Sequence, residues 1–244
     1  MKAVFLGGTR GMGRAIARMM AQRGDDVFVL GNEPDDLERS AADLAIVRGA
    51  PVGKAHCDVL DRQTFAPALQ QAWTVLGGFD TVVVSAGLFG SQEALEADAD
   101  FRDRLLTANF TNTVHFCEEA RRLLLDGGGG TLCVFSSVAG ERGRKPVILY
   151  GSAKAGLSCY LEGLDHKYRE FGLRTIVVKP GFVKTGMTVG LKPPPFAAEP
   201  GQVAKLVLRA IDRGTPEVYA TWIWRWIMLV IKLLPRFVMR RIGF

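Results

Sequence analysis

The chain opens Lys2-Ala3-Val4-Phe5-Leu6-Gly7-Gly8-Thr9-Arg10-Gly11-Met12-Gly13 and continues into a stretch where Ile16, Met19 and Met20 recur at helical period. This order reads as a buried strand, a glycine-rich turn and a helix. A helix start carries unpaired N–H groups and a partial positive charge, and glycines let the backbone approach an anion closely. The turn formed by Gly7, Thr9, Arg10, Gly11, Met12 and Gly13 is therefore a candidate cradle for a pyrophosphate. Its spacing is Gly-x3-Gly-x-Gly, not GxGxxG, and taken alone it reads equally as an ordinary strand-to-helix turn.

Beyond this unit the alternation repeats about six times. Apolar runs at Ala3–Leu6, Asp26–Leu30, Val52–Cys57, Thr81–Ser85, Gly130–Ser136 and Arg174–Lys179 are expected strands, and helices are expected over roughly 11–24, 34–48, 61–76, 98–126, 148–171 and 200–213. Such alternation signals βαβ units. The expectation is an α/β fold with a single doubly wound parallel sheet of Rossmann type, helices on both faces, over residues 1–220. Residues 184–199, with Lys192-Pro193-Pro194-Pro195, cannot be continuous helix or central strand and read as a mobile substrate loop. Residues 221–244 form a separate amphipathic, Trp-rich segment.

Composition excludes several classes. With 244 residues, 48% apolar and 23% charged, the chain is neither disordered nor a small stapled domain. Cys57, Cys117, Cys133 and Cys159 share no CxxC spacing and the three His form no helical ligand pair, so neither a disulfide framework nor a metal site is expected. The apolar run after Met1 is too short for a signal-peptide core, which places the chain on the cytoplasmic side. Of the net charge of +6, residues 222–244 supply five through Arg225, Lys232, Arg236, Arg240 and Arg241, with no acid among them. The nearly neutral body argues against nucleic acid as a partner.

After the second expected strand comes Gly31-Asn32-Glu33-Pro34-Asp35. Position 31 carries no carboxylate to hold the ribose 2′-hydroxyl of NAD, and Arg10 can reach a 2′-phosphate, which favours NADP; Glu33 and Asp35 lie close enough to keep NAD open.

Tyr150 and Lys154 are four residues apart in an otherwise helical stretch, so both leave one face. An ammonium beside a phenol lowers the phenol's pKa and turns it into a proton donor useful near neutral pH. Ser136-Ser137 ends the strand before this helix and delivers a hydroxyl to the same edge of the sheet. Taken singly, the first reads more readily as an ordinary exposed helical pair and the second as a turn or cap residue than as catalytic groups. Together they place two donors where a carbonyl could be held.

At this point the residues resemble the short-chain dehydrogenase/reductase family over about residues 2–185. Gly7-x3-Gly11-x-Gly13 looks like that family's cofactor loop, Asp58-Val59 its adenine-contacting pair, and Asn109, Ser137, Tyr150 and Lys154 its catalytic tetrad. Pro180-Gly181-Phe182-Val183-Lys184-Thr185 is similar to the segment that holds the nicotinamide amide. The family's Asn-Ala-Gly is here Ser85-Ala86-Gly87, a departure. The resemblance implies that Tyr150 protonates a carbonyl oxygen while nicotinamide delivers hydride, and that Ser137 bonds the same oxygen. It further implies that Lys154 binds the nicotinamide ribose and tunes Tyr150, and that Asn109 holds a relay water. Pairing into a homodimer or homotetramer through helices 98–126 and 148–171 is implied as well. On local sequence alone Asn109 reads equally as a helix-interior polar residue and Asp58 as a cap.

In the tail, Trp222-Ile-Trp-Arg-Trp-Ile-Met-Leu-Val-Ile-Lys-Leu-Leu-Pro235 is too interrupted to span a bilayer. At about 100° per residue, Arg225, Lys232, Arg236 and Arg240 fall within about 80° of one another, with apolar residues around the rest and Pro235 expected to split the helix. A basic stripe beside a Trp-rich face suits an in-plane membrane helix; the alternative is a tail that closes the domain or an oligomer interface. The second half also resembles one branch of the family, the reductase component of the decaprenylphosphoryl-ribose 2′-epimerase system. The matching stretches are Ala139–Arg144, Tyr150–Leu157, Met187–Pro193 around Leu191-Lys192, and Trp226–Pro235 through Arg241. That resemblance implies a 2-keto sugar on a polyprenyl phosphate as substrate, with Arg142, Arg144, Lys145 and Lys192 meeting its anionic head group. Another keto-lipid, such as a 3-ketosphingoid base or 3-oxoacyl chain, and a non-catalytic cofactor-binding partner protein are the alternatives.

Overall fold

Period-two alternation along the strands builds two cores. In the computed structural model, which describes residues 1–190, 192–194 and 196–242, Ala3 and Phe5 of β1 (Lys2–Leu6) enter one apolar core while Val4 and Leu6 enter the other. Leu191, Pro195 and residues 243–244 lie outside the described residues, and with them part of the expected substrate loop and of the tail. A strand covered on both faces has no polar side to show, which is why the strands read as unbroken apolar runs.

The sheet has seven parallel strands in the order β3-β2-β1-β4-β5-β6-β7, with β2 at Asp26–Gly31, β3 at Gly53–His56, β4 at Thr81–Val84, β5 at Gly130–Phe135, β6 at Leu173–Pro180 and β7 at Glu217–Ala220. The helices are α1 (Gly11–Gln22), α2 (Pro34–Arg48), α3 (Phe65–Leu76), α4 (Gln92–Ala97), α5 (Ala99–Leu106), α6 (Asn112–Asp126), α7 (Ile148–Tyr168), α8 (Pro200–Arg213), α9 (Ile223–Leu233) and α10 (Arg236–Arg241). Helices α1, α2 and α8 cover one face and α3, α6 and α7 the other. The chain reverses direction across the sheet between β1 and β4, and in open α/β sheets the crevice beyond such a switch point is where ligands bind.

The structure departs from the sequence expectation in three places. Strand β7 is an addition: four residues at the sheet edge are too short to display a period. The helix expected over 98–126 is broken into α5, a π turn at Thr107–Thr111 and α6, and a further short helix, α4, precedes it. Ser91 and Asp98 start α4 and α5 by accepting hydrogen bonds from Ala94 N and Phe101 N. Pro235 splits the tail as expected, and α10 begins directly after it.

The tail is seated on the protein. Met228 and Ile231 of α9 are buried with Val138, and Trp224, Ile227, Tyr219 and Met239 pack around them. Glu141 accepts from Tyr219 Oη at 2.9 Å and from Lys232 Nζ at 2.8 Å, and also pairs with Lys179. Arg142 donates to Leu234 O at 2.9 Å and Lys145 to Arg240 O at 2.7 Å. Carbonyls at a helix C-terminus lack partners within the helix and carry partial negative charge, so these two cations hold α9 and α10 by their ends. Arg142 and Lys145 are thus engaged with the tail, a correction to their expected place at a substrate head group; Lys192 stays exposed.

Candidate active site

The glycine turn lies at the end of β1, beside the switch point. Gly7 and Gly11 have φ of +88° and +56°, a region that disfavours side chains. A Cβ on Gly13 would fall 2.4 Å from Gly7 O and 2.2 Å from Ser85 Oγ, so helix α1 can start this close to the strand only with glycine there. Its N-cap, Arg10, makes no side-chain cap, and no acid occupies the first turn, so no side chain neutralises the helix N-terminus. These features fit the pyrophosphate of a dinucleotide. Ser85, the departure from Asn, donates to Gly7 O at 3.1 Å and ties the turn to the end of β4. Thr185 lies near Gly11, 3.6 Å from where a Cβ would stand, so the segment after β6 reaches across to the turn.

At the adenosine end, Arg10 pairs with Asp36, which also pairs with Arg39 at 2.8 Å. Arg39 was not singled out in the sequence, because an exposed helical arginine has no distinguishing pattern. Asp58 Oδ1 accepts from Leu60 N at 2.9 Å and thereby shapes the turn after β3, while Val59 O accepts from Asn112 Nδ2 at 2.9 Å. Asn32 follows directly on β2, at the same edge of the sheet.

Asn109, Ser137, Tyr150 and Lys154 converge from three places in the fold, the π turn, the end of β5 and α7, on one cavity of about 390 Å³. Asn109 arrives from the π turn, a local widening that re-aims helix residues and recurs at functional sites. Its Nδ2 donates to Leu88 O at 2.7 Å and its Oδ1 accepts from Leu88 N at 3.1 Å, bracing the Ala86-Gly87-Leu88 backbone and leaving one Oδ1 lone pair for a water. Gly87 is necessary there, since a Cβ would lie 2.5 Å from Asn109 Oδ1. Ser137 follows β5 and accepts from Ala139 N at 3.1 Å, which caps the 3-10 turn at Val138–Glu141. Tyr150 and Lys154 both project from α7, as expected. Lys154 Nζ donates to Phe135 O at 2.9 Å and sits 5.8 Å from the centre of the Tyr150 ring. Phe89 meets Tyr150 edge-to-face at 5.2 Å.

Electrostatics differ from the sequence expectation in one respect. Burial pushes the Tyr150 phenol up to about 12, against the opposing effect of a hydrogen bond with Ser137, and burial lowers the Lys154 ammonium to about 8. In the protein alone, desolvation outweighs the hydrogen bond with Ser137, so Tyr150 is held protonated. That is the form needed to give a proton to a carbonyl oxygen.

Pro180, Gly181, Val183 and Thr185 line the far wall. Gly181 N donates to Ala220 O at 3.0 Å, and Val183 forms an isolated bridge with Ala198. Met12, Ala86 and Arg144 also line the cavity; burial lowers the Arg144 guanidinium. So does Trp224 of α9, whose role the sequence reading missed. Its spacing with Met228 and Ile231, at i, i+4 and i+7, was the available signal of a protein-facing stripe.

The short chain dehydrogenase family model matches residues 1–194. An uncharacterized oxidoreductase of Mycobacterium tuberculosis is 32% identical over 238 residues, 98% of this chain and 95% of that protein. Carbonyl reductase family member 4 of Xenopus tropicalis is 30% identical over 190 residues, 78% of each chain. A solved short-chain dehydrogenase/reductase structure from Mycobacterium ulcerans superposes with a TM-score of 0.82 at 20% identity, covering 89% of this chain and 86% of that one. The sheet order, the uncapped glycine turn and the family match together make this chain a member of the short-chain dehydrogenase/reductase family, an NAD(P)-dependent oxidoreductase.

Proposed function

We propose that the chain is an NADPH-dependent ketoreductase acting on a ketone carried by a membrane lipid, with a polyprenyl-phosphate 2-keto sugar as the favoured substrate. The cavity mouth carries this reading. Met187 and Pro194 of the loop and Trp224 of the tail frame the cavity, and next to it α9 turns a second apolar face outward. Trp222, Trp226 and Leu233 on that face are 68%, 57% and 76% exposed. Arg225, Arg236, Arg240 and Arg241 flank it, and none has a carboxylate partner among the described residues. Apolar surface rimmed by unpaired cations suits a bilayer carrying anionic lipid, and a hydrocarbon chain can pass from it to the cavity. Lys232 leaves the expected basic stripe, being paired with Glu141. Among the described residues no helix is long and apolar enough to cross a membrane.

Within the site, NAD(P)H supplies a hydride when bound. Tyr150 Oη gives its proton to the carbonyl oxygen, Ser137 Oγ donates a hydrogen bond to that oxygen, and Lys154 holds positive charge beneath the phenol and returns a proton toward it. Asn109 positions the Gly87-Leu88 backbone against Lys154. Arg144 sets a cation in the cavity for an anionic substrate group. Preference for NADPH rests on Arg10 and Arg39 sharing the single carboxylate of Asp36, an arrangement with one positive charge left for a 2′-phosphate.

The test is oxidation of NADPH and NADH by purified protein with a detergent-dispersed polyprenyl-phosphate 2-keto sugar, beside a 3-ketosphingoid base. Turnover of the sugar lipid with NADPH is the expected result. Turnover of the sphingoid base alone moves the substrate to another keto-lipid, and tight cofactor binding without turnover of either reopens the choice between a different ketone and a non-catalytic partner. Sedimentation with anionic liposomes, lost on Trp226→Glu with Leu233→Glu, tests the surface; undiminished sedimentation of that variant overturns the membrane contact.

A further inference from the structure

A second cleft, of about 490 Å³, lies outside the catalytic cavity, between α8, the edge strand β7 and the start of α9. Among the described residues none lines both. Arg209 and Arg213 line it from α8, where a spacing of four puts them on one face, and Arg225 lines it from α9. All three are exposed, and none makes a hydrogen bond or ion pair among the described residues, so each guanidinium is free to turn onto a ligand. Asp212, beside Arg213 on α8, is committed to Arg23 at 2.8 Å. Glu217 is the one carboxylate lining the cleft among the described residues, and it is paired with Lys179, which also holds Glu141. Leu206, Ala210 and Val218 supply apolar wall, and Trp222 stands exposed beside them.

A guanidinium offers paired N–H donors that match two phosphate oxygens. Three of them beside an apolar wall fit a ligand that is strongly anionic at one end and apolar at the other. A phosphomonoester carries about −1.5 to −2 charges at pH 7, a closer match to three cations than the single charge of a phosphodiester. Trp222 and Arg225 belong both to the cleft and to the outward side of α9, so the cleft opens beside the surface proposed to meet the bilayer. That continuity favours a lipid headgroup over a free anion. An open strand edge also invites a second copy of the chain. Paired about a twofold axis along β7, that copy would bring three more guanidiniums against these three, and like charges so juxtaposed oppose association.

We infer that this cleft is a headgroup site for a membrane lipid bearing a phosphomonoester, with the phosphate held by Arg209, Arg213 and Arg225 and the ester end against Leu206, Val218 and Trp222. The site is separate from the one where a ketone reacts. It rests on the membrane contact proposed above, to which it adds a named headgroup, and makes no use of the ketoreductase chemistry.

The experiment titrates the full chain calorimetrically with dihexanoylphosphatidic acid, kept below its micelle concentration so that no bilayer is present. Binding is expected, and it should weaken as NaCl is raised. Affinity should fall at least about tenfold in Arg209→Gln/Arg213→Gln and at least about threefold in Arg225→Gln. NADPH affinity and Tm should be unchanged in both variants, since all three side chains are exposed. Dihexanoylphosphatidylcholine should not bind, and equal binding of it would overturn recognition of the phosphate. Inorganic phosphate binding as tightly as the lipid would make the cleft a free-anion site and overturn the lipid assignment. Affinity that survives the substitutions would overturn the location. A wild-type dimer that dissociates in Arg209→Gln/Arg213→Gln during sedimentation velocity, without lipid binding, would assign the cleft to a second copy and overturn the inference. Binding of the soluble lipid by a chain that does not sediment with phosphatidic acid liposomes would support the cleft and count against the membrane contact. Sedimentation with those liposomes and no binding of the soluble lipid would overturn the cleft and leave the contact to the outward side of α9.

Discussion

Replacing Lys154 by Met should stabilise the protein at neutral pH while abolishing its activity, and the stability difference should reverse sign in alkali. Lys154 is 4% exposed and its nitrogen has Phe135 O as its backbone partner at 2.9 Å. Burial lowers its ammonium from the ordinary 10.5 to about 8. At about 1.36 kcal/mol per pH unit, that corresponds to a penalty of about 3 kcal/mol for keeping the charge buried at pH 7. Methionine has similar length and no charge; it removes the penalty but leaves Phe135 O without its donor, a loss of about 1–3 kcal/mol. The net gain at pH 7 is about 1 kcal/mol, or about 2–4 °C in Tm for a chain of this size. Between pH 8 and 10.5 the unfolded lysine still holds its proton while the folded one has released it, so the unfolded state binds more protons and wild-type stability rises with pH. The variant lacks this rise. Urea denaturation of cofactor-free wild type and Lys154→Met at pH 7, 8, 9 and 10 isolates the effect, since other titrating groups cancel in the difference. The variant should be the more stable at pH 7 and the less stable at pH 10. Parallel stability curves, or a variant already weaker at pH 7 by several kcal/mol, would refute the argument that burial of the ammonium dominates this site.

Tyr150→Phe removes the proton donor without altering the cavity wall and should abolish ketone reduction while NADPH binding, followed by fluorescence, persists; a near-normal rate would sink the tetrad assignment. Gly13→Ala brings a methyl group within 2.4 Å of Gly7 O, so cofactor affinity should fall at least about tenfold and stability by about 1–3 kcal/mol, measurable by titration and thermal melting. Glu141→Gln breaks a pair in which both side chains are under 10% exposed, Glu141 at 5% and Lys179 at 8%; with Glu217 still beside Lys179, a loss of about 3 kcal/mol is expected, together with protease sensitivity between α9 and β7. Deleting 222–244, by contrast, would remove Trp224 from the cavity, so liposome release in that truncation should be accompanied by altered kcat/KM rather than by a simple loss of membrane contact.

Much of the site was readable because it is built from local patterns. A strand, three glycines and a helix can close in few ways, and Tyr150 and Lys154 share a face for any helix through 148–168. Ser137 is carried to the same edge by the strand it follows, so sheet topology alone unites it with Tyr150. Asp36 and Arg39 were not readable as partners of Arg10, since charges on neighbouring elements pair through helix orientation, which no period encodes.

The sequence by itself determined the α/β alternation, the glycine-rich turn between β1 and α1, the shared face of Tyr150 and Lys154 and the break at Pro235, because each depends on backbone propensity or on spacing within one element. Only the tertiary structure decided where the tail goes. Seen in sequence, α9 is apolar nearly all round and its cations form a stripe. Folded, one apolar side closes over Val138 and sends Trp224 to the cavity, while the other stays outside and Lys232 is drawn to Glu141. Which side turns inward depends on the shape and charge of the surface beneath, formed by residues 138–145, and a helix's own periodicity holds no record of the surface it meets.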